Sequence, residues 1–311
     1  MPSFRSTLCR MVIKHFLAPR FHARETMAEK RKVVENFAKW AVLPSDARVE
    51  KIQINGIYAE WVSVKGVFED TIILYLHGGG YNICSPNTHR ELCAHISRAS
   101  SARVLLPGYR LAPENPFPAA LDDAVSAYRW LLKNGYSNKN IAIAGDSAGG
   151  GLSIAASIAL RDQGDPAPSS IACMSPWADL AMSGASIKTH AGIDPVVTLE
   201  ALQLMASNYI KESDPRTPLI SPVYADLKRL SPLLCHAGTA EILLDDSRRL
   251  VEKAKNQGVD ARLVIYDHMW HVWHLAPRLM PEAQKAVKEF GSFIRSHFAA
   301  AMPLPDIVFR M

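Results

Sequence analysis

Short apolar runs alternate with longer helical stretches from about residue 71 onward, and this alternation constrains the fold more than any other feature. The runs are typical of buried strands, because they are short, apolar and rich in β-branched residues. They lie at residues 71–76, 103–106, 140–144, 170–174, 232–236 and 262–266. Helical periodicity covers residues 88–98, 117–132, 149–160, 245–256 and 282–297. Strands separated by helices form βαβ units, so we predict an α/β fold with a mostly parallel central sheet flanked by helices.

Two segments fall outside this rhythm and are candidates for a helical cap. Residues 1–45 are basic and helical, and residues 179–230 combine loop and helix with several prolines. Ligands of open α/β sheets bind at the carboxyl ends of the strands, which such segments could cover. An insertion of this length is more often functional than passive. We therefore predict an N-terminal helical cap region at 1–45 and a main domain at 46–311, with residues 179–230 contributing to the cap.

Positive charge is concentrated near the beginning of the sequence. The chain holds 35 Lys and Arg against 30 Asp and Glu, and its first 50 residues hold ten against five. The rest of the chain is balanced, whereas a nucleic-acid reader normally carries a dense basic stripe, so we predict no nucleic-acid partner. The first 24 residues carry five Lys or Arg and no acid, which is typical of a transit peptide or of a basic helical arm. We favour the arm.

Cysteine usage and hydropathy bear on compartment and cofactors. The five cysteines are odd in number and lack C-x-x-C spacing, which argues against a disulfide framework and favours a reducing, cytoplasmic setting. No uninterrupted apolar run reaches the roughly 18 residues of a membrane span, so we predict no stable membrane anchor. The sequence contains neither a phosphate loop nor a metal-ligand cluster, so we predict no cofactor.

The G-x-S-x-G run at residues 145–149 carries the strongest chemical signal. It follows the predicted strand 140–144 directly and opens the predicted helix 149–160, which is the setting that a nucleophile elbow needs. The sharp turn lifts the hydroxyl of Ser147 off the sheet, beside the free N–H groups of a helix N-terminus. The neighbouring Asp146 is interpreted as a structural residue that hydrogen-bonds the turn or a nearby loop.

A second glycine-rich run, His77-Gly78-Gly79-Gly80-Tyr81, follows the predicted strand 71–76. Glycines leave backbone N–H groups unobstructed, and a tetrahedral intermediate needs such donors where its oxyanion forms. We expect the N–H groups of Gly78, Gly79 and Ala148 to form an oxyanion hole.

Three motifs together carry a family resemblance. HGGGY at 77–81, YRLAPE at 109–114 and GDSAGGG at 145–151 resemble, in this order, the signatures of the hormone-sensitive-lipase-like family of bacterial α/β-hydrolase esterases. The resemblance covers roughly residues 50–300. It implies the α/β-hydrolase fold with a helical cap and a carboxylesterase activity on small-molecule esters. A homodimer is implied by the resemblance alone.

A serine hydrolase on this fold needs an acid and then a base after the nucleophile. The stretch after the predicted strand 232–236 offers Glu241 and Asp245. Its resemblance to the family pattern G-x-x-D-x-L-x-D implies Glu241 as the catalytic acid, with glutamate where most relatives have aspartate. Asp245 stays the alternative and is interpreted as a charge at a helix N-terminus.

Three histidines follow the predicted strand 262–266, namely His268, His271 and His274. Spacing alone leaves the choice among them open. The family pattern M-x-H-x-[FW] resembles residues 269–273 and implies His271 as the base. His236, inside a predicted strand, is interpreted as a core histidine.

These residues predict a serine carboxylesterase that hydrolyses short- to medium-chain acyl esters through an acyl-enzyme, with Ser147, Glu241 and His271 as catalytic residues. A lactonase or amidase on the same residues is one alternative, which substrate profiling separates. A non-catalytic ligand receptor on this fold is another, and such a protein would be expected to have lost one of the three residues. Asp194 is interpreted as a structural residue, with a contact between the cap and the pocket as the alternative.

Overall fold

The computed structural model describes residues 2–17 and 26–299, and its centre is one eight-stranded sheet. The strands are β1 Ala47–Ile54, β2 Ile57–Val64, β3 Phe68–Leu76, β4 Ala102–Pro107, β5 Ile141–Asp146, β6 Ser170–Met174, β7 Leu233–Gly238 and β8 Ala261–Tyr266. Their spatial order is β1-β2-β4-β3-β5-β6-β7-β8. All pairs from β4 to β8 are parallel, and only the pairs that involve β1 and β2 are antiparallel. The predicted α/β fold with a mostly parallel sheet is confirmed.

Helices cover both faces of this sheet. They are α1 Phe4–Val12, α2 Met27–Ala38, α3 Pro86–Ser100, α4 Ala119–Lys133, α5 Ala148–Asp162, α6 Ser186–Thr189, α7 Leu199–Ile210, α8 Leu244–Asn256 and α9 Pro281–Ser296. Successive side chains of β3 point to opposite faces. Ile72 and Leu74 pack in the apolar cluster that contains α4 and α5, whereas Ile73 and Tyr75 pack in the cluster that contains α3 and α9. Burial on both faces holds the carboxyl ends of the central strands in fixed positions.

The expected strands and helices are all present, and their ends differ from the expected ones by no more than three residues. The largest difference is at the start of β3, which begins at Phe68. There the pairing with β4 is irregular, because the register shifts between Phe68 and Ile72. A second difference matters for the site: β5 continues through Asp146 and ends directly before Ser147.

The β1–β2 hairpin was not among the strands expected from the sequence. Its signal is present nonetheless, because alternating residues flank Asn55-Gly56, a favoured two-residue hairpin turn. Both turn residues have positive φ angles, 49° and 85°. The hairpin pairs with β4 and so extends the parallel sheet at one edge.

Both predicted cap segments contact the glycine-rich loop after β3. In the insertion, the Tyr209 ring of α7 stacks on Tyr81 with ring centroids 3.8 Å apart. The side-chain amide of Asn82 donates to the carbonyl oxygen of Met205 in α7 at 3.0 Å. From the N-terminal segment, Nε of Arg31 in α2 donates to the carbonyl oxygen of Asn82 at 2.7 Å. The two segments therefore meet at the carboxyl end of β3.

Parts of the predicted regions 1–45 and 46–311 lie outside the described residues, namely residues 1, 18–25 and 300–311. Arg20 and Arg24 of the predicted basic arm are among them. In the ranges that the structure describes, no helix is both long enough and apolar enough to span a bilayer.

Candidate active site

Ser147 occupies the sharp turn between β5 and α5. Its φ of 53° and ψ of −123° are a strained conformation for a residue with a side chain, which costs about 1–3 kcal/mol. The Ser147 N–H donates to the carbonyl oxygen of Met174 at 2.9 Å, which ties the turn to β6. The close approach of the helix needs a glycine, because a Cβ atom on Gly149 would lie 2.0 Å from the carbonyl oxygen of Leu76. The turn thus fixes where the hydroxyl points.

His271 reaches Ser147 from the loop that follows β8. Its Nε2 lies 2.9 Å from Oγ of Ser147, which is within range for proton transfer. The next residue, Val272, has a positive φ of 48°. Burial lowers the pKa of His271 to about 4, and the negative charge of Asp146 opposes this shift. The imidazole is therefore neutral, and able to accept a proton, at pH values well below its ordinary pKa.

Glu241 lies fully buried in the loop between β7 and α8. Its Oε2 accepts a hydrogen bond from Oγ of Ser175 at 2.6 Å. Burial raises the pKa of Glu241 well above its usual range, the Ser175 hydrogen bond opposes the shift, and the charge of Asp194 adds to it. Within the described residues, Oε1 of Glu241 has no hydrogen-bond partner, and neither does Nδ1 of His271. The structure therefore shows no hydrogen bond between Glu241 and His271, the predicted acid and base.

Ser175, which was not expected from the sequence, connects the loop that carries Glu241 to the loop that carries His271. It donates to Glu241 at 2.6 Å and accepts a hydrogen bond from the N–H of Val272 at 3.1 Å. The available signal was its position directly after a predicted strand, since functional side chains of parallel sheets gather at the carboxyl ends of strands.

Asp245, the alternative acid, has other partners. It lies in the first turn of α8, where its Oδ2 accepts the N–H of Ser186 at 2.8 Å. Its Oδ1 pairs with Arg248 at 3.3 Å. These contacts agree with its interpretation as a charge at a helix N-terminus.

The two other histidines of the loop also have partners away from Ser147. The exposed His268 side chain pairs with Asp267 at 3.2 Å. His274 is fully buried, and its Nε2 lies 3.2 Å from Nδ1 of His236 in β7. Of the three histidines, His271 is the one in contact with Ser147.

The glycine-rich loop differs in one respect from what we expected. The N–H of Gly78 donates to Oδ1 of Asp146 at 3.1 Å, so it is already engaged. The N–H groups of Gly79 and Gly80, by contrast, donate no hydrogen bond within the residues described. Gly79 also needs to be a glycine, because its φ is 110° and a Cβ atom there would lie 2.2 Å from the carbonyl oxygen of Ile83.

Asp146 is the acceptor of the Gly78 N–H, and its contacts agree with its interpretation as a structural residue. Besides Gly78, it accepts hydrogen bonds from the Tyr75 hydroxyl at 2.9 Å and contacts Nε2 of His89 at 3.2 Å. Burial raises its pKa, but the charge and hydrogen bond of His89 and the hydrogen bond of Tyr75 prevail, so the net pKa is lowered. The ionised carboxylate ties the elbow to the glycine-rich loop.

This arrangement has the parts that acyl transfer requires. They are a hydroxyl on a strained turn, a neutral imidazole in contact with it, a buried carboxyl group, and unpaired backbone N–H groups near the turn. Side-chain clusters of three or more His, Cys, Asp or Glu that could hold a metal ion do not occur in the part of the chain described.

Comparison with known proteins gives clear sequence relatives. A family model described as having the alpha/beta hydrolase fold matches residues 73–275. The chain is similar to an acetyl-hydrolase of Streptomyces hygroscopicus, with 39% identity over 290 residues that cover 92% of this chain and 95% of that protein. It is also similar to an esterase of Acinetobacter venetianus, with 32% identity over 267 residues that cover 86% and 88% of the two chains.

Solved structures show the same fold over nearly the whole chain. The crystal structure of EstE5 soaked with p-nitrophenyl butyrate matches with a TM-score of 0.92 at 43% identity, and covers 96% of this chain and 100% of that one. An esterase from the bacterial hormone-sensitive lipase family matches with a TM-score of 0.92 at 43% identity, and covers 96% and 99%. The chain therefore belongs to the hormone-sensitive-lipase-like family of α/β-hydrolases.

Proposed function

We propose that this chain is a serine carboxylesterase in which Ser147 is the nucleophile, His271 the general base and Glu241 the acid that orients the base. The wider class is the one its relatives share: the chain is a carboxylic ester hydrolase. The observation that carries the proposal is the 2.9 Å contact between Nε2 of His271 and Oγ of Ser147 at a nucleophile elbow.

In the proposed first step, Oγ of Ser147 attacks the ester carbonyl carbon while Nε2 of His271 takes the hydroxyl proton. The carbonyl oxygen becomes an oxyanion. The bond to the leaving alcohol then breaks, and His271 returns the proton to that alcohol. Water attacks the acyl-enzyme by the same route, which releases the carboxylic acid and restores the Ser147 hydroxyl.

The proposed oxyanion donors are the N–H groups of Gly79, Gly80 and Ala148. Gly78, which we expected among them, is instead assigned to positioning the loop, because its N–H is bonded to Asp146. Ala148 is the first residue of α5, so its N–H adds the partial positive charge of the helix N-terminus. One such donor typically lowers the barrier by about 3–4 kcal/mol.

We assign Oε1 of Glu241 as the acceptor for the Nδ1–H of His271. The structure shows no hydrogen bond between these two atoms, but both are buried and without another partner among the described residues, so each is available to the other. The hydrogen bond would hold the imidazole in the tautomer whose Nε2 accepts the proton, and it would stabilise the imidazolium that forms.

We further infer that residues 1–45 and 179–230 form a cap over the main domain 46–311, and that the covered pocket favours acyl chains of about eight carbons or fewer. A Cβ atom on Gly80 would lie 2.2 Å from Sδ of Met205, so α7 packs directly against the glycine-rich loop. Trp270, beside the base, is buried. The relatives include an acetyl-hydrolase, and EstE5 was soaked with a butyrate ester; both involve short acyl groups.

A cytoplasmic location and a homodimer stay predictions. The first is supported by the cysteines, because Cys9, Cys84, Cys93, Cys173 and Cys235 are all free. The second rests on the family resemblance.

The test is hydrolysis of p-nitrophenyl esters of increasing acyl length by the wild type and by Ser147→Ala. We expect the fastest turnover on short chains and a fall in kcat of about 10⁶-fold in Ser147→Ala. Ser157→Ala is the matched control, because Ser157 lies on α5, the helix that follows Ser147, and donates to the carbonyl oxygen of Ser153. A fluorophosphonate should label the wild type and the control, but not Ser147→Ala.

Two results would contradict the proposal. Substantial turnover by a correctly folded Ser147→Ala variant would rule out the serine mechanism. Fastest turnover on the sixteen-carbon ester would leave the mechanism intact and end the inference of a short pocket.

A further inference from the structure

Asp194 is a buried carboxylate of the insertion that the proposed mechanism does not use. It lies between α6 and α7 and is 5% exposed. Its Oδ1 accepts hydrogen bonds from the N–H groups of Val196 at 2.9 Å and Val197 at 3.3 Å. These bonds close a tight turn around Pro195 and fix the direction of the carboxylate.

The second oxygen of Asp194 points at the catalytic loops. Oδ2 accepts the N–H of Ile242, the residue after Glu241, at 3.1 Å. Burial raises the pKa of Asp194 to about 6, and backbone N–H groups, including that of His271, oppose this shift. One carboxylate therefore interacts with the main chain next to the proposed acid and with the main chain of the proposed base.

Two further contacts join this part of the insertion to the loop that carries Glu241. Nε2 of His190 lies 3.1 Å from the carbonyl oxygen of Thr239. Oγ of Ser186 donates to the carbonyl oxygen of Ile242 at 2.8 Å. Residues 186–194 are thus held against the loop that carries Glu241. Asp194 differs from the other two because it also faces the loop that carries the base.

We propose that Asp194 is a positioning residue, whose carboxylate sets the separation of the loops that carry Glu241 and His271, and with it the distance between Oε1 of Glu241 and Nδ1 of His271. The inference rests on the proposed function, since it assumes that these two residues act as acid and base. The inference also gives the insertion a second role. Besides covering the pocket, the insertion would hold the acid and the base in position.

A carboxylate suits this task because its two oxygens accept several hydrogen bonds at once. An amide at this position has one acceptor oxygen, so it cannot serve both its own turn and the Ile242 N–H. The loops would then be free to separate by a fraction of an ångström. A misplacement of about 1 Å lowers turnover by about 100-fold.

The test compares Asp194→Asn with Asp214→Asn. Asp214 is a matched control, because it also precedes a proline and its Oδ1 accepts the N–H of Arg216 at 2.8 Å, but on an exposed turn. We expect kcat on p-nitrophenyl butyrate to fall about 10- to 100-fold in Asp194→Asn, with KM nearly unchanged. We expect Asp214→Asn to behave as the wild type.

A spectroscopic readout separates positioning from general destabilisation. The Nδ1–H of His271, when bonded to a carboxylate, should give a low-field proton resonance that His271→Gln lacks. We expect this resonance to shift or broaden in Asp194→Asn and to stay in place in Asp214→Asn, with both proteins folded by circular dichroism. Asp194→Glu keeps the charge on a longer stem, and we expect an intermediate kcat. If Asp194→Asn does not fold, kcat and the proton resonance are measured on Asp194→Glu instead.

Wild-type kcat together with an unshifted resonance in Asp194→Asn, or in Asp194→Glu if only that variant folds, would overturn the inference. So would a change in KM alone, which would assign Asp194 to substrate binding. Failure of the proposed function has a different signature, namely turnover by Ser147→Ala or no loss of activity in His271→Gln.

Discussion

Nε2 of His271 and Oγ of Ser147 lie 2.9 Å apart, although 124 positions separate the two residues in the sequence. Ser147 follows β5 and His271 follows β8, which is three strands further across the sheet. Strands so placed are about 14 Å apart, so the His271 loop must reach back over the ends of β6 and β7. Ser175 after β6 and Glu241 after β7 fill the space between and support that loop.

Truncating the proposed acid tests the choice between the two carboxylates. We expect Glu241→Ala to lower kcat by about 10⁴-fold with little change in KM, because the carboxylate acts on the base and not on the substrate. Asp245→Ala should keep its kcat and lose about 1–3 kcal/mol in the free energy of unfolding, because the Ser186 N–H loses its acceptor. Steady-state kinetics and urea unfolding measure the two effects. The reverse pattern would move the acid to Asp245.

Single alanine variants of the three loop histidines test the base. His271→Ala should abolish activity, because no other imidazole contacts Ser147 among the described residues. His268→Ala should keep at least a tenth of the activity, since that side chain is exposed and pairs with Asp267. His274→Ala should also keep a tenth but melt at a lower temperature, because it leaves the buried Nδ1 of His236 unpaired. Activity in His271→Ala, with either of the others inactive, would reassign the base.

The pH dependence of kcat/KM tests the environment of the base. General-base action needs neutral His271, and burial lowers the pKa of this residue to about 4. We therefore expect kcat/KM to rise with pH through a limb near 4, well below the ordinary value of about 6.5. With Glu241 assigned as the partner of His271, the limb reports the pair.

The measurement needs a stability control at each pH. Unfolded His271 binds a proton near pH 6.5 and the folded protein only near 4, so the free energy of unfolding falls as the pH drops between these values. Urea unfolding at each pH separates this loss from the loss of base function. A limb at about 6.5 in fully folded enzyme would show that His271 is not desolvated.

Removing the carboxylate behind the glycine-rich loop tests the role given to Gly78. Asp146→Ala leaves the Gly78 N–H and the Tyr75 hydroxyl without their acceptor, so we expect both lower stability and a fall in kcat of about 100-fold as the loop shifts. Asp123→Ala is the control: Asp123 is buried and accepts the N–H of Arg110 at 2.8 Å, away from Ser147. It should lose stability and keep its kcat. Equal kcat losses in the two variants would show that Asp146 has no specific role in positioning the glycine-rich loop.

The parts of the fold and site that depend on short stretches of chain were predictable. The elbow at Ser147 and the glycine-rich loop follow from small residues placed directly after apolar strands, where local backbone geometry decides the turn. The β1–β2 hairpin was missed although Asn55-Gly56 is as local a signal, because the expected rhythm of strand and helix does not include antiparallel edge strands.

The direction of individual groups in the site was not predictable. Sequence spacing left three histidines open, and the N–H of Gly78 was expected to face a substrate. In the structure Gly78 faces Asp146, because Tyr75 and His89, from β3 and α3, hold that carboxylate beside it. The sequence around a backbone N–H is the same whichever acceptor that N–H bonds, so the sequence alone does not identify the acceptor.

The sequence by itself determined the order of strands and helices from residue 71 onward, the nucleophile turn and the glycine-rich loop, because each depends on the propensities and sterics of adjacent residues. Only the tertiary structure decided that Ser175 bridges the loops that carry Glu241 and His271, that Asp194 of the insertion accepts the N–H of Ile242, and that His271 meets Ser147. These contacts join residues more than 45 positions apart, and burial in the packed sheet, not local chain geometry, brings them within hydrogen-bonding distance.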